Sequence, residues 1–390
     1  MNPNSTVPAT SPASIGKRLH SIDALRGLVM LIMLLDHVRE RFFYHHVITD
    51  PMTIDQTDPD LFFTRLIAHL CAPVFVLLTG ISAWLYANPA NGQPRDVRAF
   101  LLKRGVVLVL IEATLINFSW FGAYETLYLQ VIWAIGLSMI ALALLSSLPL
   151  KVIAALGLAI VAGHNALEPI QFAPEQWGYT IWTILHDRGF ILDQEWLRIK
   201  ASYPVLPWIG VILVGFAMGP LFSRMVEASK RQRTLLQLSA ASLALLALLR
   251  GSNLYGETAP WQVHSTTIET VMSFLNFTKY PPSLDFILLT VGIACTLLCL
   301  LERYHHRATD YLSTFGSAPM FFYIVHLYVL LIGYRIMTAI FGANQGDMYG
   351  FDSLWMIWAT TALLALVMYW PTKAFARYKH SSNKAWVKYL

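Results

Sequence analysis

The residues best suited to chemistry gather in one stretch, His20 to His46, which reads HSIDALRGLVMLIMLLDHVRERFFYHH. It opens with Ser21, Asp23 and Arg26, continues through uncharged and mostly apolar residues from Gly27 to Leu35, and then places Asp36 and His37. An ionisable pair that deep in an apolar segment is costly unless it faces a protein interior, and it marks a functional site by default. A helix turns about 100° and rises about 1.5 Å per residue, so Arg26 and His37 share one face roughly 16 Å apart. Asp23 falls near that face, and the helix draws a polar line from a membrane surface to a buried imidazole. Neutral imidazole is the usual proton acceptor near pH 7 when a group moves to an amine or a hydroxyl.

Four more polar residues sit within apolar runs: His69 before CAPVFVLLTG, Glu112 in IEATLINFSW, His326 in FFYIVHLYV, and Asp285 after KYPPS. His69 is expected to share the base role or bind the acceptor. Glu112 is either part of the site or a structural partner of an arginine, and Asp285 or Glu112 could hold the imidazole tautomer. Asp36 lies about 100° around the helix from His37, so it is expected to orient a group on another helix rather than touch that ring. The pairs His45–His46 and His305–His306 lie near interfaces, and no metal is expected. Cys71, Cys295 and Cys299 all lie in apolar stretches, which fits core residues better than a disulfide framework or a zinc site.

The elements that must hold these residues are membrane helices. The chain has 390 residues, 56% hydrophobic and 13% charged, with a mean hydropathy of +0.52. That balance implies an all-α polytopic membrane protein. Hydropathy gives about ten spans, near 22–43, 61–87, 99–119, 127–147, 150–166, 204–223, 234–250, 284–301, 312–338 and 353–373. The polar segment 1–16 is expected to be disordered, 17–376 to form the membrane domain, and 377–390 a basic cytoplasmic tail. The first span reads as an uncleaved anchor, because no small-residue cleavage site follows a short apolar core. The net charge of +5 is spread along loops, so it is no nucleic-acid signal.

Placing the N-terminus in the cytoplasm collects most of the 28 basic residues on one side, which favours both termini inside and an even number of spans. The other side receives Asp50, Asp55, Asp58 and Asp60, together with two long loops at about 168–203 and 251–283. Those loops carry Trp177, Trp182, Trp196 and Trp261, so they are expected to be ordered and to cover something. GFAMG at 215–219 has the spacing of close helix packing.

Arg26 and His37, with ten residues between them, resemble the Arg/Lys-x10-His signature of membrane acyltransferases such as the O-antigen and polysaccharide acetylases. The fuller string SIDALRGLVMLIMLLDHVR resembles the first span of bacterial proteins related to heparan-α-glucosaminide N-acetyltransferase. The likeness continues through HLCAPVFVLLTGISAWL, LIEATLINFSW, WAIGLSM, YPVLPWIGVILVGFAMG, TKYPPSLDFILLTVG and FFYIVHLYV. It implies transfer of an acyl group, normally acetyl, from cytosolic acetyl-CoA to an amine or hydroxyl of a sugar or glycoconjugate on the far side, in a bacterial inner membrane. It leaves open which histidine is catalytic: in the animal lysosomal member the position of His37 is an asparagine, and the proposed catalytic histidine falls closest here to His45 or His46.

Under that reading Arg26, Asp23, Ser21, Lys103, Arg104 and His326 are grouped on the acetyl-CoA side, since guanidinium and ammonium groups bind phosphate strongly. Lys279, Tyr280, Trp133 and Asn117 are grouped on the acceptor side, with Asn117, Trp133 or Lys279 offered as oxyanion donors. Expected partners are acetyl-CoA, a sugar acceptor and the lipid bilayer, and a homodimer stays open. Buried carboxylates and histidines also build proton relays, so a proton-coupled sugar or small-solute transporter is the competing class. Against it, no paired broken helices recur in two halves.

Overall fold

The computed structural model describes residues 12–90, 92–384 and 386–387. Of the segment expected to be disordered, residues 1–11 lie outside the described residues, and so does Lys388 in the basic tail. The helices are α1 (Pro12–Phe42), α2 (Pro59–Ile67), α3 (Cys71–Ala87), α4 (Arg98–Ile111), α5 (Asn117–Phe121), α6 (Val131–Leu145), α7 (Leu150–Gly163), α8 (Tyr179–Leu185), α9 (Leu206–Met218), α10 (Ala228–Ser252), α11 (Thr267–Leu275), α12 (Leu284–Arg303), α13 (Arg307–Ser317), α14 (Pro319–Phe341) and α15 (Leu354–Ser381). Three strands, β1 (Thr126–Leu129), β2 (Gly189–Gln194) and β3 (Leu197–Ala201), form a small sheet in the order β1-β3-β2.

Each of the ten expected stretches contains helix, and the protein is a multi-pass membrane protein. Among the described residues, six helical stretches are long and apolar enough to cross a membrane: 59–87, 150–167, 228–252, 284–303, 319–341 and 354–379. Two further apolar helices, α6 and the stretch Leu206–Phe222, are shorter. A 15-residue helix is about 22 Å long, less than the roughly 30 Å hydrocarbon thickness. Several boundaries differ from expectation, three of them at breaks in the chain's helices or at a helix start. The span expected at 61–87 breaks into a tight turn at Ala68–Leu70, with His69 at its centre. The span expected at 312–338 is two helices, because Pro319 cannot continue α13 and Ala318 leaves the helical region with φ −132° and ψ 57°. Residues 126–129 of the span expected at 127–147 are strand, and α6 starts at Val131.

Helix α1 runs through the core. Its apolar residues Leu25, Val29, Met30, Leu34 and Val38 are all but inaccessible, and it packs against α3, α12, α13, α14 and α15. Gly27 and Gly316 set the α1–α13 crossing: a Cβ on Gly27 would run into the Leu312 carbonyl, and one on Gly316 into the Asp23 carbonyl. GFAMG is a packing element, as its spacing suggests. Gly215 lies on the Leu77 backbone of α3, and Gly219 lies on the Trp84 side chain.

The expected all-α chain is mostly helical, and the one sheet among the described residues joins the two strands of the 168–203 loop to β1 in the α5–α6 connection. Strand β3 pairs in parallel with β1 and antiparallel with β2, which folds the 168–203 loop over one end of the bundle. The 251–283 loop is held there by Arg250, whose guanidinium donates to the carbonyls of Phe274, Ala259, Ser273 and Asn276. Asn276 exchanges hydrogen bonds with the Met52 backbone at 2.7 and 2.9 Å, which ties this loop to the one after α1. Together these segments close the end of the bundle reached by the C-terminus of α1.

Candidate active site

His37 projects from α1 toward α14, where its Nδ1 meets Nε2 of His326 at 2.7 Å. The rings lie 8° from parallel with centroids 5.0 Å apart. His326 Nδ1 is 2.7 Å from the Phe322 carbonyl oxygen, one turn back on its own helix. A carbonyl only accepts, so His326 carries its proton on Nδ1 and presents a bare Nε2. His37 Nδ1 must then donate, which leaves His37 Nε2 with its lone pair free. Backbone, spacer imidazole and working imidazole thus fix one tautomer, the task that a carboxylate performs in a serine-protease triad.

His37 lines a cavity of about 590 Å³ that extends to the loop-covered end of the bundle. A second cavity, of about 210 Å³, lies toward the start of α1 and contains Arg26, Arg104 and Lys379 at its polar end. Its remaining lining is mainly apolar, with Met30, Leu108, Ile135, Met139 and Met320 among the walls. Tyr323 and Val131 line both cavities and stand between them. Tyr323 is edge-on to both imidazoles, 5.8 Å from His37 and 5.6 Å from His326. Trp120 closes the other side of His37 at 5.1 Å, also edge-on. The indole is backed by Arg41, which donates to the Trp120 and Ser119 carbonyls at 2.7 and 2.9 Å.

The structure sorts the expected residues. Asp36, as its angle around the helix suggests, does not serve His37: its carboxylate takes Arg39 at 2.9 Å and Arg65 of α2 at 2.7 Å. Breaking such a buried pair would strand a charge, so this is a structural clamp at the wall of the larger cavity. Arg26 is held by Asp23 at 2.7 Å, the Gly316 carbonyl at 3.0 Å and Ser82 at 3.1 Å. Arg104 faces the smaller cavity, whereas its neighbour Lys103 is exposed. Ser21 is buried and lines neither cavity. Lys279 and Tyr280 do line the larger cavity, where the Tyr280 hydroxyl meets that of Tyr203 at 3.1 Å.

Five residues are not where the sequence suggested. His326, grouped with the acetyl-CoA side, is the partner of His37. Neither Glu112 nor Asp285 reaches the dyad: Glu112 Oε2 accepts the first backbone N–H groups of α6, from Ile132 at 3.0 Å and Trp133 at 3.1 Å. Asp285 lies in the first turn of α12 beside Gly256 and lines neither cavity. Asn117 clamps β1, donating to the Glu112 and Tyr128 carbonyls and accepting from the Tyr128 N–H, so it offers no free oxyanion donor. Trp133 is buried outside both cavities. Two histidines are also displaced: His69 packs on Phe286 with its Nδ1 unpartnered, and His45 turns to Phe43 while His46 lines the cavity.

Tyr323, Trp120, Arg41, Arg65 and Lys379 are among the lining residues that sequence reasoning missed. Tyr323 had a signal, since it sits one helical turn before His326 on the same face. Trp120 is positioned by a π-helical turn at Glu112–Ile116 between α4 and α5; the extra residue of such a turn rotates the face that the next helix presents, and these turns concentrate at functional sites. Arg65 and Lys379 are distant in sequence from the rest and had none.

The family model for the catalytic region of heparan-alpha-glucosaminide N-acetyltransferase matches residues 18–252, more than half of the chain. The chain belongs to this family. A comparison with curated proteins found no match. As a membrane acetyltransferase of this family, the protein contributes His37, Trp120 and Arg26 from the matched residues, while Tyr323 and His326 come from α14, beyond them.

Proposed function

We propose that the protein transfers an acetyl group from cytosolic acetyl-CoA to an amine or hydroxyl of a sugar or glycoconjugate on the opposite side of the membrane, with both termini in the cytosol and His37 as general base. The observation that carries this reading is the position of His37 Nε2, an open lone pair on the larger cavity beside the Tyr323 wall that the smaller cavity shares. The smaller cavity fits the donor: Arg26, Arg104 and Lys379 suit its phosphates, and the apolar lining suits a pantetheine arm. The thioester supplies the activated acyl carbon.

His37 Nε2 takes the proton from the acceptor nitrogen or oxygen as that atom bonds to the acyl carbon. The carbon–sulfur bond breaks, and the same proton can pass from His37 to the departing sulfur. His326 holds the ring through this cycle. Tyr323 lines both cavities, and its hydroxyl is assigned the role of meeting the developing oxyanion.

Purified protein is to be mixed with labelled acetyl-CoA and amino sugars or glycans, and compared with His37→Ala, His45→Ala and His69→Ala. Transfer that is retained in His45→Ala and His69→Ala and falls at least about 100-fold in His37→Ala supports the assignment; transfer at the wild-type rate in His37→Ala refutes it. Proteoliposomes with acetyl-CoA on one face and acceptor on the other test the sidedness.

A further inference from the structure

We propose that His20, His305 and Asp310 form a binding site for a divalent transition cation of the zinc class, one that staples α1 to α13 next to the smaller cavity. The three residues come from three places: His20 from α1, His305 from the turn between α12 and α13, and Asp310 from the first turn of α13. One nitrogen or oxygen from each lies within 4.8 Å of the others. The Asp310 Oδ1 atom is 3.0 Å from His20 Nε2 and 3.2 Å from His305 Nε2. Two ligands bound at about 2.0–2.1 Å in a tetrahedral shell stand roughly 3.3 Å apart, so the carboxylate is already near that separation from each imidazole. Two imidazoles and a carboxylate are a zinc-type donor set that leaves a fourth position for water.

The surroundings fit such a site. His20 Nδ1 is buried without a hydrogen-bond partner, which leaves Nε2 as the nitrogen turned to the cluster. His306 is used otherwise, its Nδ1 capping the Ala308 N–H of α13, and this separates the roles of the two adjacent histidines. The side chains of Asp310 and His305 are 56% and 41% exposed, so an ion has access from water. The cation would join the two helices whose backbones touch at Gly27 and Gly316, and Arg26 also donates to the Gly316 carbonyl. Sequence spacing gives no hint of the site, because His20 and Asp310 are 290 residues apart.

The test uses full-length, tag-free protein in detergent, stripped with a chelator and titrated with Co²⁺, then with Zn²⁺ in competition. One Co²⁺ per chain with the d–d absorption of a low-coordinate N/O site, displaced by Zn²⁺, is expected. His305→Ala and Asp310→Asn should each weaken binding by at least about tenfold, the loss seen even for outer-sphere partners, while the double variant His45→Ala/His46→Ala binds like wild type. Zn²⁺ should also protect His20 and His305 of the unmodified protein from diethyl pyrocarbonate, read by mass spectrometry, which keeps the proposal testable if a variant fails to fold. No cobalt spectrum, binding undiminished in both His305→Ala and Asp310→Asn, binding lost in His45→Ala/His46→Ala, or no protection would each show that the trio is only a hydrogen-bonded cluster.

Discussion

Replacing His326 tests the dyad more sharply than replacing His37. In the resting site the His37–His326 bond joins two neutral groups, worth about 0.5–1.5 kcal/mol; once His37 has taken the acceptor's proton, the same bond is charge-assisted and worth about 1.5–3 kcal/mol. The difference acts only in the transition state, so His326→Leu should lower kcat roughly tenfold, at about 1.4 kcal/mol per decade. The KM for acetyl-CoA should hold, because His326 lines neither cavity. His37→Ala should cost about 100- to 10,000-fold, the usual range for a general base. His326→Gln, whose amide oxygen can accept from His37 Nδ1, should recover much of the loss, which a merely structural role would not produce. The assay is thiol release from acetyl-CoA in the presence of acceptor, under single-turnover conditions. Residues acting as one unit are not additive, so His37→Ala/His326→Leu should be no slower than His37→Ala. Wild-type kcat in His326→Leu, or a double variant far below His37→Ala, would refute the relay.

Four further outcomes are expected. Arg26→Ala should raise the KM for acetyl-CoA about 10- to 100-fold, the worth of one charge-assisted contact, whereas Lys103→Ala should leave it unchanged; equal effects would move the donor mouth away from Arg26. Glu112→Ala should destabilise the fold by about 1–3 kcal/mol by leaving the Ile132 and Trp133 N–H groups unpaired, seen as a lower melting temperature, while Glu112→Gln keeps activity. Gly27→Leu should cost at least the roughly 1–3 kcal/mol of an overpacked contact, because its neighbour is the Leu312 backbone; an unchanged melting temperature would show that α1 and α13 can separate. Burial raises the Asp50 carboxyl above its ordinary value, against the pull of Arg65 and Lys279. A raised folded-state value means stability that is present below the unfolded pKa of about 3.9 and is lost as pH rises through the folded one, so Asp50→Asn should flatten the dependence of melting temperature on pH across that window.

The first span was legible because helical periodicity is local: the register of Arg26, Asp36 and His37 along α1 comes from 3.6 residues per turn alone. That register also correctly turned Asp36 away from His37. Periodicity cannot report which distant helix faces a given residue. His326 is 289 residues from its partner, and Phe322 supplies a backbone carbonyl, an acceptor every residue has. Glu112 looked functional because a carboxylate in an apolar run is costly, and Asn117 was offered as an oxyanion donor; yet Glu112 Oε2 caps α6, with Oε1 left without a hydrogen-bond partner, and Asn117 clamps β1. The small sheet was hidden for a related reason, since its parallel pairing of β1 with β3 joins segments far apart in the chain.

The composition of the dyad reflects where it must work. A carboxylate behind His37 would place a second anion beside Asp36, whose charge already takes both Arg39 and Arg65. Burying another charge without a partner costs several kcal/mol or more. His326 performs the same orientation at no net charge, because its far nitrogen ends on the Phe322 carbonyl rather than on an ion. Charge then appears only during turnover, on a ring flanked by the edges of Trp120 and Tyr323 and one residue from a carboxylate. A base that is neutral at rest can sit in an apolar bundle between two cavities, and its partner needs only to accept one hydrogen bond.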